Sequence, residues 1–185
     1  MITSNDLKKG MTLVVKGTLH QVLDFQHIKP GKGPAFVRTK LRNLDTGAVL
    51  EHTFRAKEPV EQAFVEKRPL EYIYRDGTHY VLMDPETYEQ MPVPSEVFGG
   101  KEQFLKENTQ VLVAFHGQDI IDVQLPDSVV LEVEHTQPGV RGDTVSGATK
   151  PARLETGATV QVPLFVEEGE KIRVDTRSGE YLERA

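Results

Sequence analysis

Apolar and polar residues alternate in short bursts along most of the chain, the period-two pattern of half-buried strands. The first third carries four such bursts, Thr12–Lys16, Thr18–Gln26, Phe36–Asn43 and Val49–Phe54. Gly10, Gly17, the Pro30–Pro34 loop and Asp45-Thr46-Gly47 separate them, each a turn-forming interruption. In the third burst Val37, Thr39, Leu41 and Asn43 share one parity, while Phe36, Arg38, Lys40 and Arg42 share the other. Alternation then predicts a row of three basic side chains on the outer face of one strand.

A second set comprises Leu70–Tyr74, a turn at Asp76-Gly77, His79–Met83, Gln110–His116, a turn at Gly117-Gln118, and Ile120–Gln124. Between its halves the pattern predicts a helix from about Ser95 to Glu107, with Ser95 able to cap its start. The third set runs Val129–His135, a long loop from Thr136 to Pro151, Thr159–Val166, Lys171–Thr176 and Glu180–Glu183. The expected fold class is all-β: three small barrels in a row, each of about sixty residues, over 1–64, 65–128 and 129–185. Leu44-Asp45-Thr46-Gly47-Ala48 echoes Leu154-Glu155-Thr156-Gly157-Ala158, which reads as one turn chemistry used twice.

Composition narrows the chemistry. Without cysteine there is no disulfide, thiolate ligand or cysteine nucleophile. The first residues lack a basic segment followed by an apolar run, so no signal peptide is expected, and no stretch is long and apolar enough to span a bilayer; a cytoplasmic location follows as the expectation. The net charge of −6 hides an asymmetry. Residues 1–64 hold 10 Lys and Arg against 6 Asp and Glu, a net of +4, while the rest hold 12 against 22, a net of −10. Phe25–Leu44 contains Lys29, Lys32, Arg38, Lys40 and Arg42 and no acid. A basic module on an acidic body should meet polyanions at one end only.

Within that module, Lys29-Pro30-Gly31-Lys32-Gly33-Pro34 joins two strong strands. The prolines restrict the backbone and the glycines allow a sharp bend, so a narrow tip is expected with little bulk beyond Lys32. Gly31 and Gly33 do not make a nucleotide loop, because no Gly-Lys-Ser/Thr follows and no helix can start across Pro34. On its own the segment reads more readily as a plain turn bearing an exposed lysine.

His27-Ile28-Lys29-Pro30-Gly31-Lys32-Gly33-Pro34-Ala35-Phe36-Val37-Arg38 resembles the domain I tip of bacterial translation elongation factor P, the relative of initiation factor 5A. Three further runs resemble the C-terminal domain of that family. They are Thr136–Thr144, Lys150–Gly157, and Val162–Phe165 together with Gly169–Arg177. The matches keep their order over the whole chain.

The resemblance implies an SH3-like, KOW-like barrel followed by two OB-fold barrels in a bent, tRNA-like shape. It implies a non-enzymatic factor, expected as a monomer, that binds the 70S ribosome between the peptidyl and exit sites. Such a factor promotes peptide bond formation and relieves stalling at consecutive prolines. Its partners would be rRNA, peptidyl-tRNA and mRNA at the exit site. Lys32 would reach the peptidyl-transferase centre from a tip of Pro30, Gly31, Gly33 and Pro34. Lys29, Arg38, Lys40 and Arg42 would contact RNA, and Arg141, Gly142, Asp143 and Thr144 would form the loop near mRNA. No cofactor is implied, although in many members the lysine is covalently modified. The Pro34-closed loop resembles branches in which it acts unmodified.

Other classes find less support. The six histidines at 20, 27, 52, 79, 116 and 135 form no HxH or HExxH pair. No Gly-x-Ser-x-Gly elbow is present, so neither a metal nor a catalytic nucleophile is expected. A generic single-strand binder would show aromatic platforms on its basic face. Here that module offers phenylalanines 25, 36, 54 and 64, of which all but Phe36 read as core. A structural ribosomal protein would be basic throughout.

Overall fold

A computed structural model describes residues 1–139 and 147–185. In chain order the strands are β1 (Ile2–Thr3), β2 (Thr12–Val15), β3 (Thr18–Ile28), β4 (Phe36–Asn43), β5 (Val49–Arg55), β6 (Pro59–Ala63), β7 (Glu66–Asp76) and β8 (His79–Met83). They continue as β9 (Gln90–Pro94), β10 (Gln110–His116), β11 (Asp119–Gln124), β12 (Ser128–Thr136), β13 (Thr149–Leu154), β14 (Thr159–Pro163), β15 (Lys171–Asp175) and β16 (Tyr181–Arg184). They form three sheets, ordered β1-β6-β2-β3-β4-β5, β11-β10-β7-β8-β9 and β14-β13-β12-β15-β16. The all-β, three-barrel expectation holds.

The chain divides into two compact units, residues 1–67 with 114–122, and residues 68–113 with 123–185. In the first, Leu7, Leu13, Val15, Val22, Val37, Leu41, Phe54 and Val60 make the core, with Ile2, Met11 and Phe25 packed against it. Thr39 is fully buried among them, and its hydroxyl donates to the His52 carbonyl at 2.6 Å, so the buried polar group is satisfied. Ser4 is treated likewise, its Oγ donating to the Arg55 carbonyl at 2.7 Å.

In the second unit the strands from β12 onward enclose Leu131, Val133, Ala152, Leu154, Val160, Val162, Ile172 and Val174. Phe104, from the segment between β9 and β10, is buried in that same core. Lys106, two residues on, places Nζ 3.0 Å from Glu155 Oε1, and that oxygen also accepts the Glu132 amide at 2.9 Å.

Three expectations fail. The helix over 95–107 is instead two 3-10 turns, Ser95–Phe98 and Lys101–Phe104. Gly99 and Gly100 between them both have positive φ, +62° and +87°, which no α-helix can cross. Ser95 caps nothing with its side chain, since the capping position is taken by Pro94. Phe64, assigned to the core, is 78% exposed. The loop from Thr136 to Pro151 contains the start of β13, which Pro151 disguises because proline is a poor strand former.

Candidate functional site: a basic hairpin

The β3–β4 hairpin builds the site. Its ladder runs from His20 opposite Asn43 to a last rung of Ile28 opposite Phe36. β5 flanks β4 with seven pairs, Arg42 opposite Val49 through Phe36 opposite Arg55. At the root of the tip the Ala56 amide donates to the Ala35 carbonyl at 3.1 Å. Beyond the last rung, Lys29, Pro30, Gly31, Lys32, Gly33 and Pro34 are all exposed. Among the described residues Lys32 takes part in no hydrogen bond or ion pair.

The two tip glycines do different things. Gly33 sits at φ +117°, where a side chain is strained, and a Cβ there would lie 3.8 Å from Pro30 Cγ. Gly31 has an ordinary φ and open space around it, so its backbone does not require glycine.

The burial of β4 alternates as its sequence predicts. Val37, Thr39 and Leu41 are buried, while Arg38, Lys40 and Arg42 are exposed. The three basic residues therefore share the outer face, and Phe36, half-buried, lies on that face opposite Ile28. Lys29 stands apart from the row, at the start of the tip loop.

Two acidic neighbours of this row escape a reading of the sequence. Asp24 on β3 lies opposite Lys40, and Glu51 on β5 lies opposite it on the other side. Strict alternation from buried Val22 would turn Asp24 inward. The ladder instead shifts register between Val22 and Asp24, so Leu23 is an extra, bulged residue. A bulge reverses the parity beyond it, which sends Asp24 out and Phe25 in. Asp24 also meets Lys9, whose Nζ lies 2.8 Å from Oδ1. The hydrogen bond from Lys9, then one from the Phe25 amide, hold the Asp24 carboxyl below its usual range, and the charge of Lys40 adds to the effect.

Arg141, Gly142, Asp143 and Thr144 lie outside the described residues. Among the described residues no three or more histidines and carboxylates gather as a metal site, and no helix is long and apolar enough to cross a membrane.

Known proteins match this chain in three consecutive segments. The family model for the elongation factor P KOW-like domain matches residues 3–60, that for its OB domain residues 65–123, and that for its C-terminal domain residues 129–184. Elongation factor P of Desulfitobacterium hafniense is 52% identical over 185 residues, covering 100% of both chains. That of Acidothermus cellulolyticus is 54% identical over 185 residues, covering 100% of this chain and 99% of the relative. Among solved structures, initiation factor 5A from Methanococcus jannaschii superposes with a TM-score of 0.54 at 21% identity, over 68% of this chain and 90% of its own, a likeness of fold. With three family models in register along a basic KOW-like barrel and two further barrels, the chain belongs to the elongation factor P family of translation factors.

Proposed function

We propose that this translation factor binds the 70S ribosome between the peptidyl and exit sites and speeds peptide bond formation at consecutive prolines by holding the peptidyl-tRNA with Lys32. The observation that carries the reading is the tip itself: an exposed ammonium without an internal partner, on a hairpin paired up to its last rung and closed by two prolines.

Proline is a constrained secondary amine, and a Pro-Pro nascent chain presents the reacting carbonyl poorly. A factor can help without moving a proton. Restricting the reactants to a productive geometry removes part of the entropic barrier, and orientation alone can contribute several kcal/mol. A lysine on a stiff stem binds phosphate and ribose oxygens at a low ordering cost. Lys32 is accordingly a positioning group. Lys29, Arg38, Lys40 and Arg42 supply contacts to the RNA backbone, where phosphates fix register. Arg141, Gly142, Asp143 and Thr144 supply a loop toward mRNA at the exit site.

Translation in vitro of reporters with and without a Pro-Pro-Pro stretch tests the assignment. The protein should rescue only the proline reporter, and Lys32→Ala should remove most of the rescue. Wild-type rescue by Lys32→Ala would end the assignment. The tip is proposed to act with an unmodified lysine, and an added mass on the Lys32 peptide of native protein would overturn that part alone.

A further inference from the structure

The three basic residues of β4 share a face but not an environment. Arg38 lies opposite Gln26 and Thr53, and Arg42 lies opposite Gln21 and Val49, so each has neutral side chains directly across on both neighbouring strands. Lys40 alone lies between two carboxylates, Asp24 and Glu51. Directly opposed side chains start about 4.5–5.5 Å apart at Cβ, whereas the diagonal separation from the same acids to Arg38 and Arg42 is about 7–8 Å. Asp24, Arg38, Lys40 and Glu51 line one shallow concavity of about 150 Å³. With Lys9 on Asp24, the four groups Lys9, Asp24, Lys40 and Glu51 sum to zero charge at neutral pH.

A phosphate brought to Lys40 therefore also meets Asp24 and Glu51. Its attraction to the ammonium groups of Lys40 and Lys9 is offset by repulsion from the two carboxylates beside them. A phosphate at Arg38 or Arg42 meets a guanidinium whose direct neighbours carry no charge. Arginine also offers a planar fork of donors that suits phosphate oxygens. The two arginines are four residues apart on one strand, about 13 Å.

We propose that Arg38 and Arg42 are the primary RNA-phosphate contacts of this face, and that Asp24 and Glu51 hold Lys40 between them as a compensated charge, so the RNA backbone docks at two points astride a neutral middle. The assignment rests on the ribosome-binding reading above and ranks residues within it.

The experiment measures binding of the full-length protein to 70S ribosomes across a range of salt concentrations, with and without peptidyl-tRNA in the peptidyl site. Each lost phosphate contact should flatten the slope of log affinity against log salt by about 0.7–0.9. Arg38→Gln and Arg42→Gln should each show that loss, and Lys40→Gln should show only a fraction of it. In a Glu51→Gln background the same Lys40→Gln change should cost as much as an arginine change, because Asp24 is already matched by Lys9 and no unmatched carboxylate then faces Lys40. Equal losses for Lys40→Gln and Arg38→Gln in the wild-type background would overturn the ranking and leave the ribosome-binding reading standing. Absence of salt-dependent binding by the wild-type protein would overturn both. A loss seen only with peptidyl-tRNA assigns the phosphates to tRNA, and a loss in both cases assigns them to rRNA.

Discussion

At φ +117°, Gly33 holds a backbone conformation that L side chains rarely adopt, next to Lys32, and a Cβ there would lie 3.8 Å from Pro30 Cγ. Replacing it with alanine strains the tip by about 1–3 kcal/mol, yet the loop is exposed and unpaired, so it relaxes by re-aiming rather than by unfolding the barrel. Gly33→Ala should therefore reduce rescue of a proline reporter several-fold while the thermal midpoint stays close to wild type. Gly31→Ala, at an ordinary φ with open space around it, should change neither. Sequence placed both glycines in the tip but could not tell which one the backbone needs, because that depends on a dihedral angle and not on composition. The same limit hid Asp24. Counting by twos works along β4 and fails across Leu23, where one extra residue reverses the faces.

Elements were legible where the residues are strand formers bounded by glycine turns. β8 and β10 fall where the alternation predicts them, and β4 matches over its full length. The short strands β6, β9 and β13, each with proline at its start or inside it, left weaker patterns. The segment between β9 and β10 departs from the expected helix because Gly99 and Gly100 forbid one. Its two short turns deliver Phe104 into the core enclosed by β12–β15. Gly179 lies against the tip of that ring, where a Cβ would come within 3.3 Å of Phe104 Cζ. Phe104→Ala should destabilise that barrel by about 3–5 kcal/mol, as expected for emptying a buried aromatic site. Hydrogen exchange resolved by strand is the check. Amides of β12, β13 and β15 should exchange faster, while those of β2–β5 keep their protection. Unchanged protection throughout would show that the aromatic ring contributes little there.

Across the whole molecule, charge is divided between a basic first module and an acidic remainder, and one acidic side chain also ties segments together. Burial pushes the Glu155 carboxyl up. The hydrogen bond from the Glu132 amide, the hydrogen bond and charge of Lys106 and the charge of Lys171 outweigh it and hold the carboxyl below its ordinary value. A depressed carboxyl stabilises the native state above the unfolded-state value, about 4.3 for glutamate, and that contribution fades as pH falls through the depressed one. Acid titration of stability should therefore steepen below about pH 4.3. Glu155→Gln should lower stability at neutral pH and flatten that acid limb, as read from denaturant midpoints between neutral and acidic pH. Family and fold class were readable from ordered motifs and strand spacing. The tie through Glu155 was not, since nothing in the Leu-Glu-Thr-Gly-Ala turn, an echo of Leu44-Asp45-Thr46-Gly47-Ala48, announces a partner at Lys106.

Above the bulge at Leu23 the stem of the hairpin still packs Val37 and Phe25 on the barrel core, and it ends in the rung that carries the tip. The ladder there is regular and antiparallel, and β5 pairs with β4 up to the same rung, Phe36 opposite Arg55, so only past that rung is the length an adjustable dimension. Adding one two-residue repeat to each strand there would push the lysine outward by about 7 Å while every side chain keeps its face. Adding a single residue to one strand would instead rotate the arm's faces and misdirect it. The distance by which the tip projects past the barrel is thus set in steps of two residues.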